Sequence, residues 1–134
     1  MWKMLGLMVA VGMLAGCAGM KPDQTYPHES FTAPMAYQEA YRRGEAHLRQ
    51  CAPPVSLAYS GNIYTDNRTA VLRAMQPNMP NGDFIRIEIK ALDAGQSHVT
   101  VSVIGRGIFD NGELAAARES IISGKVVCRK SKYQ

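Results

Sequence analysis

His47 and Cys51 stand four residues apart in a stretch of helical periodicity, which puts an imidazole and a thiol on one helix face. Such a pair attacks carbonyl carbon in thiol hydrolases, but the chemistry also needs donors for the oxyanion, and no motif supplying them accompanies these residues. His28 and His98 fall at no recognised zinc spacing with the cysteines, so neither a metal nor a cofactor is expected. Asp66, Asp83, Asp93 and Asp110 each sit among turn-forming residues, where a short carboxylate bonds its own backbone. Two of those turns would have to converge at one end of a sheet to pair carboxylates for general acid and base work. Gly105 and Gly107 lack the third glycine and following helix of a dinucleotide fingerprint and read as a bend. The sequence contains no nucleophile-elbow serine, metalloprotease motif or phosphate loop. No catalytic residue is assigned, and the chain is read as not an enzyme.

The elements that carry these residues follow from periodicity. Tyr37, Ala40, Tyr41, Gly44, Leu48 and Cys51 recur at spacings of three and four, which predicts a helix over 35–51 with Pro34 at its start. Glu39 with Arg43 and Glu45 with Arg49 suit its exposed side. Gly44, on the apolar stripe, suggests a close approach to whatever the helix packs on. After Pro53 and Pro54 the period changes to two: Val55, Leu57 and Tyr59 alternate with small or polar residues, and Ile63 and Tyr64 extend the strand past a bulge or bend at Gly61. Thr69 to Met75 is a second strand. Ile85, Ile87 and Ile89, then Val99, Val101 and Val103, form a hairpin with one buried and one wet face. The wet face is expected to show Phe84, Arg86, Glu88 and Lys90 beside Thr100, Ser102 and Ile104. A second helix is expected from Asn111 to Ser123, capped by Asp110 or Asn111 and ended by Gly124. The expected fold class is α+β: a two-layer sandwich of helix, four-stranded antiparallel meander and helix, with both helices on one sheet face.

Chemistry of another kind is written at the N-terminus. Lys3 precedes an apolar run from Met4 to Met13, long enough for an export signal and too short for a membrane span of about 20 residues. Leu14, Ala15, Gly16 and Cys17 follow, and this run resembles the lipobox of bacterial lipoproteins. The resemblance implies that residues 1–16 are a cleaved signal peptide, that the Cys17 thiol takes a diacylglyceryl group, and that its new amine is acylated, with palmitate the typical kind of chain. Two or three acyl chains hold a protein stably where one does not. Ala18 stands where a retention signal would carry Asp, which implies the outer membrane of the cell envelope, facing the periplasm. With Cys17 consumed by lipid, the resemblance also implies a disulfide between Cys51 and Cys128 in an oxidising compartment. Residues 17–33 are polar, contain Pro22 and Pro27, and read as lipidated cysteine and flexible tether; residues 34–134 form a single domain.

The formal charge is +4 and the basic residues are scattered, unlike the gathered basic face of a nucleic-acid protein, and export removes nucleic acid from reach. The partner that the resemblance implies is membrane lipid, held through Cys17. Beyond the lipobox the chain looks broadly like many short proteobacterial envelope lipoproteins. The function expected is a non-enzymatic binding or scaffolding domain for another envelope protein. A module for a glycan, lipid or small molecule is the alternative, and it requires a cavity lined by Tyr37, Tyr41 or Tyr59. An envelope hydrolase would need titratable side chains converging in a cleft.

Overall fold

Alternation sets the sheet. In a computed structural model, which describes residue 20 and residues 25–51, 57–77 and 82–130, seven elements follow in the order β1 (His28–Ala33), α1 (Tyr37–Cys51), β2 (Ala58–Tyr64), β3 (Thr69–Met75), β4 (Asp83–Asp93), β5 (Gln96–Val103) and α2 (Asn111–Ser123). The five strands form one antiparallel sheet in the order β1-β5-β4-β3-β2. Its centre is the expected hairpin, with Ile85 opposite Val103, Ile87 opposite Val101 and Ile89 opposite Val99. Those six side chains are at most 2% exposed. At about 1.5–3 kcal/mol for each fully buried aliphatic side chain, they are the largest concentrated source of stability.

Ala70, Leu72 and Ala74 of β3 pair with Ile89, Ile87 and Ile85, and Phe31 of β1 pairs with Val99, so four strands add to one apolar surface. Tyr37, Ala40 and Leu48 of α1 and Leu114, Ala117 and Ile121 of α2 join the same core. Gly44 lets α1 lie close: a Cβ there would stand 2.8 Å from Leu72 Cδ1. Asp110 caps α2, its carboxylate accepting from the Glu113 N–H, and Gly124 ends the helix in the left-handed conformation.

Three features differ from the sequence expectation. The sheet has five strands, not four, because His28–Ala33, expected within the tether, pairs along β5 from His28 opposite Ser102 to Ala33 opposite Ser97. The segment is mostly polar and flanked by prolines, so its own pattern is weak; its backbone groups are satisfied only by a distant strand. Gly61 makes no bulge, since β2 and β3 pair without a register shift, and the Tyr41 hydroxyl lies where a Cβ at Gly61 would be. Finally, Ile104 is 8% exposed and Phe84 is covered by Phe109, their rings 5.7 Å apart, so neither belongs to the wet face. Val55 and Ser56 lie outside the described residues.

Candidate functional site

The periodicity of α1 turns His47 inward, and the cap at Asp110 sets the phase of α2 so that Glu113 and Ser120, seven residues apart, face it. His47 is fully buried, Glu113 is 5% exposed and Ser120 is 1% exposed. His47 Nε2 lies 2.5 Å from Glu113 Oε1, and Nδ1 lies 2.8 Å from Ser120 Oγ. Hydroxyl, imidazole and carboxylate thus stand in series as in a serine hydrolase, but with the ring nitrogens exchanged, since there the hydroxyl meets Nε2 and the carboxylate Nδ1.

Their surroundings give them different work. The Ser120 hydroxyl accepts from the Val127 N–H at 2.9 Å and donates toward the Val127 carbonyl at 3.1 Å, so it is held on three sides. A nucleophile needs a face open to substrate, and this one is closed over. One position beyond Val127, Cys128 is bonded to Cys51, whose sulfur lies 3.5 Å from His47 Nδ1. The disulfide spans 77 residues with Cα atoms 5.1 Å apart. Network and disulfide together fasten α1, α2 and the C-terminal segment to one another. Arg43 adds to the clasp by donating to the Ile121 and Ile122 carbonyls at the end of α2.

The other sequence candidates are dispersed. Cys17 lies outside the described residues. His28 is on β1 and His98 on β5, both exposed. Asp83 begins β4 and is taken up by Arg73 at 2.7 Å, while Asp110 is taken up by Arg129, also at 2.7 Å. Asp93 accepts from the Gly95 N–H within its hairpin, and Asp66 is an exposed turn residue. Among the described residues, no three His, Cys, Asp or Glu side chains gather as metal ligands.

Concave regions among the described residues include a groove of about 310 Å³ beside α2, lined by Glu29, Ala115, Arg118, Glu119, Ile122 and Ser123, and two others. Between α1 and β2, Tyr41, Glu45, Arg49 and Tyr59 line a cleft of about 150 Å³. Burial, then the Glu45 carboxylate, pushes the Tyr41 hydroxyl above its ordinary value, and burial raises Tyr59. No protein-family model matches the chain. No curated protein matches it either. The third region lies on the sheet surface away from the core, where Thr69, Val71, Glu88, Lys90, His98 and Thr100 border a shallow depression of about 310 Å³. Arg86 and Glu88 are half-exposed and 3.2 Å apart on this surface, and Ser30 meets Thr100 across strands at 2.8 Å. No helix among the described residues is long and apolar enough to cross a membrane.

Sequence reasoning missed the pairing of His47 with Glu113 and Ser120. One signal was available: Glu113, Ala117 and Ser120 follow the same three-and-four spacing as Leu114, Ala117 and Ile121, so two polar residues flank the apolar stripe of α2.

Proposed function

We propose that this chain is a lipid-anchored protein of the bacterial envelope, held at the outer membrane through Cys17 and facing the periplasm, whose domain binds another envelope protein without catalysing a reaction. Support comes from the division of labour between the two sides of the sheet. One side is sealed by apolar side chains, the buried polar network and the disulfide. The other presents a mixed polar surface across β1, β5, β4 and β3, with charged Arg86, Glu88 and Lys90 beside Thr100. A scaffold with one polar sheet face that no helix among the described residues covers fits a docking surface. The hydrolase reading is disfavoured because the triad-like set among the described residues, His47 with Glu113 and Ser120, is buried and fully bonded. The small-molecule alternative requires a tyrosine-lined pocket, and the Tyr41–Tyr59 cleft has a volume about half the lower end of the usual ligand range of about 300–1,000 Å³.

Photo-crosslinking in intact cells tests the proposal. A crosslinking residue at Glu88 or Thr100 should give one discrete protein adduct, and the same residue at exposed Glu119 of α2 should not. Absence of an adduct from both sheet positions, or the same adducts from all three, would contradict it.

A further inference from the structure

We infer that the turn from Gly105 to Ile108 seats the domain directly on the lipid surface that anchors it, with Ile108 entering the headgroup layer and Arg106 meeting anionic lipid phosphate. The inference rests on the lipid-anchor reading of Cys17 and goes beyond it, because an anchor alone does not say which part of the domain touches the membrane.

Chain length carries the argument. The Met20 N–H donates to the Asp83 carbonyl at 2.9 Å, and Met20 packs half-buried against the core. Cys17 is three residues earlier, and three extended residues reach at most about 11 Å. A flexible tether of the 16 residues after Cys17 would have averaged about 20–25 Å. The start of β4 is therefore held within a short reach of the acyl chains.

At that same end β5 finishes, and the Ile104 N–H donates to the Phe84 carbonyl. The chain then closes a tight turn: Gly105 N–H donates to Phe109 O at 2.8 Å and Phe109 N–H to Arg106 O at 3.1 Å. Phe109 is buried against Phe84, which pins the turn from inside, while Arg106, Gly107 and Ile108 are exposed. Gly107 has φ of 60° with open space around it, so the backbone is bent outward by a residue chosen for conformation and not for packing. Ile108 is 39% exposed. Ile63, Tyr64 and Leu92, also exposed, lie toward the opposite end of the strands. An exposed aliphatic side chain two residues from an arginine, at the tethered end, suits the boundary between acyl chains and phosphates.

Trp2 is the single tryptophan of the sequence and leaves with the export signal, so Ile108→Trp places one reporter in the mature chain. The full chain, processed in its own membrane, is reconstituted into vesicles of phosphatidylethanolamine and phosphatidylglycerol with brominated acyl chains. Leu92→Trp serves as the distal reporter. Flotation with the vesicles, together with roughly twofold or greater quenching for Ile108→Trp and little for Leu92→Trp, is the expected result, and adding Arg106→Glu should reduce that quenching. Flotation with equal quenching at the two positions overturns the seating of the turn and leaves the anchor standing. Failure to float overturns the anchor and the seating with it.

Discussion

Replacing His47 with alanine should be a costly change for a side chain outside the aliphatic core. Glu113, whose side chain is 7% exposed, would lose the imidazole 2.5 Å from its carboxylate and remain buried. Leaving a buried polar group without its hydrogen-bond partner costs about 1–3 kcal/mol, because the survivor keeps its desolvation penalty. Ser120 would fare better, retaining both bonds to the Val127 backbone. A vacated imidazole volume adds to the loss unless neighbouring side chains collapse into it. Removing both members is different in kind: the pair His47→Leu with Glu113→Leu leaves neither group buried without its partner and should recover most of the loss, to within about 1 kcal/mol of the parent. Urea unfolding of the Cys17→Ser background, disulfide intact and followed by far-ultraviolet circular dichroism, measures both. A cost below about 1 kcal/mol for His47→Ala, or a double variant as unstable as the single, would refute the assignment of this network as the clasp between the helices.

Three further outcomes follow from the same geometry. Cys128→Ser should lower stability by up to about 4.5 kcal/mol, the chain-entropy value for a bridge spanning 77 residues, read as the shift in urea midpoint under oxidising conditions. Burial raises the Asp110 carboxyl, but the Arg129 hydrogen bond and the backbone N–H groups of Glu113 and Gly112 outweigh it and hold the group below its ordinary value. Its contribution is thus present above the unfolded-state value and lost as pH falls through the folded one; Asp110→Asn should cost about 1 kcal/mol at neutral pH, with the gap to the parent closing in acid, checked by urea titrations across that range. Ser97→Ala should stabilise by about 1 kcal/mol in a thermal melt, because the fully buried Ser97 hydroxyl has no hydrogen-bond partner among the described residues.

Much of this architecture is written in short-range pattern. Ile85, Ile87 and Ile89 alternate so cleanly that strand, face and hairpin follow from the sequence, and Asp110 with Gly124 bounds α2 by capping chemistry alone. β1 was hidden because Phe31 and Ala33 are its only apolar residues and its pairing spans some 70 positions to β5, a distance at which local pattern says nothing. The His47 network was hidden for a related reason. Helical phase shows that His47 shares a face with Cys51, but only the packing angle of α2 across α1 brings Glu113 and Ser120 to its two nitrogens. Cysteine counting reaches the Cys51–Cys128 pair because a three-cysteine chain leaves one pairing once Cys17 is set aside. That Phe84 and Ile104 leave the wet face was not legible, because Phe84 stacks on Phe109 and Ile104 joins the core through contacts that local alternation does not report.

The central claim is best tested by the intact mass of the native protein extracted from the envelope. A chain beginning at Cys17, heavier than its residues by a diacylglyceryl group and one further acyl chain, is the predicted result, with two mass units gained on reduction of the remaining cystine. A full-length polypeptide beginning at Met1, or a mature chain carrying no lipid on Cys17, would contradict it.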